Sequence, residues 1–189
     1  IDLSFARVLR SLLRQDPDVI LIGEMRDQET AEIGLRAAMT GHFVLSTLHT
    51  NDAISTASRL LDMGAEPFLV ATSLRAIVAQ RLVRRICESC AEPHTLSPAH
   101  AEFAHAEMGD AFDGKTFRRG RGCTYCNQTG YQGRAGVYEL LELDEELSAL
   151  LQRGDSAGFA AAARLRPDFI SLRRSAVEMA ARGVTTMDQ

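Results

Sequence analysis

With 189 residues, 46% of them hydrophobic, the chain can hold one sizeable core or a core with a small satellite, and it is too apolar to be wholly disordered. A net charge of -4 and a pI near 5.7 argue against a nucleic-acid binder, although twenty of the 21 basic residues are arginines and leave room for local basic patches. No run approaches the roughly 18 to 20 apolar residues of a membrane span, and "IDLSFARVLR" does not read as a signal peptide, so a cytosolic protein is predicted. The chain starts without methionine, directly in a helical pattern, and is expected to be a piece of a longer protein.

The first segment, "DLSFARVLRSLLRQDPD", reads as an amphipathic helix ended before Pro17, because a residue preceding proline is pushed out of the helical region. Phe5, Leu9, Leu12 and Leu13 form its expected buried stripe. Arg7, Arg10 and Arg14, spaced by three and four, share another face, which is either a solvated surface or an arginine row turned toward phosphates. Next, Val19 to Ile22 is a short β-branched run with the character of a central parallel strand buried on both faces. A helix capped by Asp27 runs through "QETAEIGLRAAMT" to Gly41, and "HFVLSTLHT" supplies a second buried strand. Strand, helix, strand predicts an α/β fold with parallel strands, and Glu24 and His49 fall beyond the two strand ends, where such sheets bind ligands. A carboxylate there can hold magnesium or polarise a water, and a histidine can sense a terminal phosphate. Each alone has an ordinary structural explanation, and the pair is the stronger signal.

All four cysteines fall in two C-x-x-C pairs, Cys87 with Cys90 in "CESC" and Cys123 with Cys126 in "CTYC". Two thiolates from each of two tight turns complete a closed tetrahedral Zn2+ site with no open position for catalysis. Two redox dithiols or four reduced bystanders are the competing readings. The 32 residues between the pairs must carry structure of their own, beginning with a helix capped by Ser97 with Pro98 in its first turn. Within them, "GDAFDGKT", Gly109 to Thr116, fits the phosphate-loop pattern G-x-x-x-x-G-K-[ST] and holds Lys115, the only lysine. A genuine phosphate loop lies between a buried strand and a helix, whereas a helical segment precedes this one, and Asp110 and Asp113 would oppose phosphate. The match reads as coincidental. The rest of the chain alternates helical patterns with Gly154, Pro167 and Gly183, and its arginines, including Arg164, Arg166, Arg173 and Arg174, read as a solvated face.

The stretch "LRQDPDVILIGEMRDQETAEIGLRAAMTGHFVLSTLHTNDA" resembles the secretion ATPases that power type II secretion and type IV pilus assembly, and "RLLDMGAEPFLVATSLRAIVAQRLVRRIC" continues the resemblance. "GCTYCNQTGYQGRAGVYELLEL" is similar to the members that carry a tetracysteine metal domain. The resemblance implies a partial RecA-like parallel sheet core (1–86), a zinc-binding subdomain (87–130) and a small helical C-terminal region (131–189). It implies that Glu24 is the Walker B glutamate and His49 the histidine of the histidine box. Arg10, Arg14, Arg26 and Arg59 then match arginines that line the nucleotide site or complete it from a neighbouring subunit, while Gln80 and Arg81 are assigned to packing. The phosphate loop of this family lies upstream of its Walker B strand, so the chain resembles the C-terminal part of the ATPase. Alone it is expected to be inactive, with ATP and Mg2+ serving the full-length protein. Implied partners are further copies in a homo-hexamer and an inner-membrane platform, through which the protein would sit at the membrane. Two other classes remain: a non-enzymatic zinc adaptor docking on the same machinery, and a nucleic-acid motor, which the acidic balance disfavours.

Overall fold

A computed structural model describes residues 4–189. The chain divides into two compact units, one formed by the residues up to Val78 with Leu140–Phe169, the other by Ala79–Glu139 with Ile170–Gln189. Three consecutive segments, as the sequence suggested, would place breaks after residues 86 and 130; the observed division is instead discontinuous. Its cause is the pairing of two long strands distant in sequence, β3 (Ala76–Ile86) and β6 (Tyr131–Glu142).

The first unit begins with helix α1 (Phe5–Leu12), whose N-cap Ser4 accepts from the Arg7 N–H. The helix tightens into a 3-10 turn over Leu13–Gln15 and stops at Asp16, which is left-handed (φ 51°) before Pro17. Of the expected stripe only Leu9 is buried, together with Ala6, while Phe5 and Leu12 are half-exposed. The inward face is therefore narrower than the apolar pattern implied. Strand β1 (Val19–Ile22) then pairs in parallel with β2 (Phe43–Ser46), Val19 opposite Phe43 and Ile22 opposite Ser46. Between them runs α2 (Gln28–Met39), capped by Asp27, whose side chain accepts from Thr30 N–H at 2.8 Å.

Burial on both faces was expected for these strands and is not found. Ile20 and Ile22 are buried, but Val19, Leu21, Phe43 and Leu45 on the opposite face are 57%, 73%, 62% and 45% exposed. Alternation replaces the continuous burial of a central parallel strand because, among the described residues, the sheet is only two strands wide and is covered on one face.

The first unit also contains α3 (Ala53–Asp62), α4 (Pro67–Ser73), α6 (Glu145–Gln152) and α7 (Ser156–Arg164). α4 packs on α2 and α6, and α7 on α3 and α6. Their interior is filled by Leu35, Leu60, Leu69, Val70, Leu147, Leu151 and Phe159, all nearly or fully buried. The Ser73 hydroxyl, 2.9 Å from the Leu35 carbonyl, pins α4 to α2.

In the second unit, β4 (Ala91–His94) pairs antiparallel with β5 (Phe117–Gly120), and α5 (Pro98–Met108) spans the connection, capped by Ser97 as expected. Ala104, Met108, Phe117, Val177 and Ala180 make a core from α5, β5 and α8 (Leu172–Ala181). Val83 and Val137, on β3 and β6, bury against Met179 of α8. The segment from residue 131 is thus not wholly helical, since it opens with the twelve-residue β6. Gln80 and Arg81 are exposed rather than packed, with Gln80 Nε2 donating to the Tyr138 hydroxyl at 3.2 Å. Gly109–Phe112 forms a 3-10 turn that follows α5 and leads into β5, a helix-to-strand connection with the opposite order to a phosphate loop.

Candidate functional site

The parallel register of β1 and β2 ends both strands at one level, and the two segments beyond them are bonded together. Thr47 Oγ1 donates to the Gly23 carbonyl at 2.6 Å, and the Met25 N–H donates to the Thr47 carbonyl at 3.1 Å. Glu24 lies between these two contacts. Its carboxylate is ion-paired through Oε1 with Arg26, and His49 Nε2 stands 3.2 Å from Oε2. The structure therefore brings together Glu24, Arg26 and His49. Arg10 is turned to Glu29, 2.6 Å away, and Arg14 and Arg59 are exposed.

Charge and access differ sharply within this cluster. Side-chain exposure is 28% for Glu24, 76% for Arg26 and 90% for His49, so the carboxylate is the sheltered member of the cluster and its two partners face solvent. The Arg26 hydrogen bond keeps the Glu24 carboxyl below its usual range, prevailing over partial desolvation and helped by the Arg26 charge and by His49. The same pair raises Arg26. Oε2 is shut off from solvent and has no directed hydrogen bond even with His49 close by. A buried carboxylate oxygen in that condition is a ready acceptor for a water or a divalent cation. The group thus fits the magnesium and water chemistry expected of it.

The second site is built by the β4–β5 register, which sets Ala91 opposite Gly120 and so brings the two C-x-x-C turns to one end of that sheet. All four sulfurs lie within 4.8 Å of one another. Three of their separations, Cys87 to Cys123, Cys90 to Cys126 and Cys123 to Cys126, are 3.9, 3.9 and 3.7 Å. A tetrahedron with Zn–S bonds of about 2.3 Å has edges of about 3.8 Å, and a disulfide would need about 2.05 Å. Cys87, Cys90 and Cys126 are buried and Cys123 is half-buried.

Backbone amides are aimed at the sulfurs. Cys126 Sγ accepts from the N–H groups of Cys123 and Gly130 at 3.2 and 3.3 Å. Burial raises the Cys126 thiol, but those two donors and the neighbouring thiols outweigh it and bring the group down to about 6. Burial pushes Cys90 up to about 12, opposed by the Gly122 N–H and reinforced by the other three thiols. Neighbouring thiolates repel, and a cation among the four sulfurs would offset that repulsion. After Cys126 the chain doubles back with Asn127 and Gln128 both left-handed (φ 50° and 63°), and their N–H groups bond the carbonyls of Thr124 and Cys123. Donor chemistry, spacing and the aimed amides all fit a structural metal.

The profile of the family described as Type II/IV secretion system protein matches residues 1–189. The chain belongs to that family. It is 47% identical over 189 residues to type II secretion system protein E of Klebsiella pneumoniae, and 48% identical over 189 residues to the type IV pilus assembly ATPase PilB of Myxococcus xanthus. In both alignments the whole chain is covered, but only 37% and 33% of the relative, so the chain spans about a third of their length. A crystal structure of the pilus retraction motor PilT with bound ADP superposes with a TM-score of 0.65 at 28% identity, covering 98% of this chain and 42% of that one. The X-ray structure of the Legionella pneumophila ATPase DotB gives the same TM-score at 24% identity, 97% of this chain and 40% of that one, a likeness of fold.

Among the described residues, no helix is long and apolar enough to cross a membrane. Three contributors to these sites carried no individual signal in the sequence. Thr47 lies inside "STLHTND", but its bond to Gly23 depends on two loops meeting. The Gly122 and Gly130 amides act through the backbone, and only the glycine density of "GRGCTYCNQTG" hinted at a chain packed closely around the cysteines.

Proposed function

We propose that this chain is part of a longer, homo-hexameric ATPase that powers type II protein secretion or type IV pilus assembly, and that Glu24 is its catalytic carboxylate. The observation that carries this reading is the Glu24 carboxylate at the paired strand ends, with one oxygen held by Arg26 and the other buried without a hydrogen bond beside His49. Relatives bearing the ATPase name across the whole of this chain support it.

In this reading Glu24 Oε2 orients the attacking water and draws its proton, while His49 meets the terminal phosphate. Glu24 would hold magnesium directly or by way of water, and the ion would supply positive charge against the phosphate oxygens. Arg26, exposed and already paired to Glu24, is placed to exchange the carboxylate for phosphate. Arg10, Arg14 and Arg59 serve the nucleotide or a subunit boundary, and Arg10 must first leave Glu29 to do so. Cys87, Cys90, Cys123 and Cys126 hold a structural zinc. The cytoplasmic assembly works against an inner-membrane platform protein.

The phosphate loop is supplied from outside these 189 residues, and "GDAFDGKT" plays no part. ATP binding by the 189-residue chain, by the same chain with Lys115→Ala, and by the full-length protein tests this division. Binding by the full-length protein alone, unaffected by Lys115→Ala made within it, supports the reading. Tight binding by the short chain that is lost with Lys115→Ala overturns it.

The tetracysteine cluster lies wholly within one compact unit, which suits a second reading, a zinc adaptor without catalysis. That reading requires secretion to survive Glu24→Gln and to fail when the cysteines are replaced.

A further inference from the structure

We infer that Thr47 is a positioning residue that couples the His49 segment to the Glu24 carboxylate, an inference that rests on the catalytic role proposed for Glu24. Thr47 lies on the segment beyond β2, yet it touches the chain on both sides of Glu24. Its hydroxyl donates to the Gly23 carbonyl at 2.6 Å, and its own carbonyl accepts from the Met25 N–H at 3.1 Å. The peptide groups flanking Glu24 are therefore held by one residue. His49, two positions further on the same segment, reaches the carboxylate itself at 3.2 Å.

Three features make this a coupling rather than a local tether. The Met25 side chain is buried, which anchors the far side of Glu24 to the interior. Gly23 is exposed and open around its α-carbon, so the near side depends on the Thr47 hydroxyl more than on packing. Thr47 is itself exposed, which separates its contribution from core stability, since no apolar contact is lost when only the hydroxyl is removed. A shift of the segment bearing His49 therefore moves the Gly23–Glu24–Met25 backbone with it. Phosphate contact at His49 would then be felt as a change in the aim of Glu24 Oε2, and a displacement of about 1 Å at a catalytic group costs up to about a hundredfold in rate.

Val and Ser separate the hydroxyl from the shape of Thr47. In the full-length protein, Thr47→Val should lower kcat by about ten- to a hundredfold with KM for ATP within about twofold, because the hydroxyl aims a reacting group and does not bind nucleotide. Thr47→Ser, which keeps the hydroxyl, should stay within about threefold of the parent. Combined with His49→Ala, Thr47→Val should add little to the loss from His49→Ala alone, since both act along one connection. Wild-type turnover in Thr47→Val, equal losses in Val and Ser variants, a loss confined to KM, or multiplicative losses with His49→Ala would each overturn the coupling. Glu24→Gln measured alongside distinguishes the two levels. If it keeps full turnover, the catalytic reading fails and the coupling with it; if it is inactive while Thr47→Val is normal, only the coupling fails.

Discussion

Gly120 and Gly130 face each other backbone to backbone beside the cysteine cluster. A Cβ on Gly120 would fall 2.0 Å from the Gly130 carbonyl oxygen, and one on Gly130, which is left-handed (φ 77°), would fall 2.4 Å from that of Gly120. Neither neighbour is a side chain that could swing aside. This approach brings β5 against the turn that delivers the Gly130 N–H to Cys126 and the Gly130 carbonyl to the Cys87 N–H.

Gly130→Ala should therefore destabilise the second unit by about 2 kcal/mol or more, through strain at positive φ and a backbone clash together. Metal content per chain, measured after purification and dialysis, should drop from one equivalent toward zero. An alanine variant with full metal content and unchanged thermal stability would show that the turn can relax.

If the four sulfurs hold a metal, as proposed, its removal should loosen the region around them. With a strong chelator, or in Cys123→Ser, amide exchange should accelerate across residues 87–91 and 120–131, where backbone N–H groups bond to sulfur or to the cysteine turns. The β1–β2 pair and the Glu24 segment belong to the other unit and should keep their protection. Uniform exchange before and after chelation would argue that the four sulfurs hold no structural ion.

The reach of sequence reading differs between neighbouring elements, for identifiable reasons. Asp27 and Ser97 mark helix starts through bonds made within three residues, and Pro98 through its fixed backbone angle in the first turn, and they were legible for that reason. Glu24 and His49 were legible because strand ends are fixed by local pattern and the parallel pairing then aligns them. β3 and β6 were not anticipated, since their pairing joins segments some fifty residues apart and "YQGRAG" carries glycines that weaken a strand signal. The exposure of Val19, Leu21, Phe43 and Leu45 was also hidden, because a run of β-branched residues reports a capacity for burial and not what is there to cover it. Arg26 was foreseen only by resemblance; that it pairs with Glu24 is a property of the loop's curvature.

Phe159, on α7, is fully buried in the first unit. Phe159→Ala should cost about 3–5 kcal/mol, the usual range for emptying a packed aromatic site. Denaturant unfolding monitored against the parent would measure it, and a loss under about 1 kcal/mol would mean that α7 collapses into the space.

Asp144 caps α6 by accepting from the Leu147 N–H at 3.0 Å and pairs with Arg166. Those contacts, the Leu147 N–H first and Arg166 with it, hold its carboxyl below the ordinary value of 3.8 against partial desolvation. A depressed folded-state pKa contributes stability that is fully present above the unfolded value and is lost as pH falls through the folded one. The stability difference between the parent and Asp144→Ala should thus be constant near neutrality and shrink below about pH 4. A difference that grew on acidification would contradict the assignment.

Glu24 is proposed to perform the chemistry, and steady-state ATP turnover by the full-length protein with Glu24→Gln is the decisive measurement. Turnover should fall by about a hundredfold or more while ATP still binds, because the amide cannot take the proton of the attacking water. Turnover within about twofold of the parent, with binding intact, would put the catalytic base elsewhere.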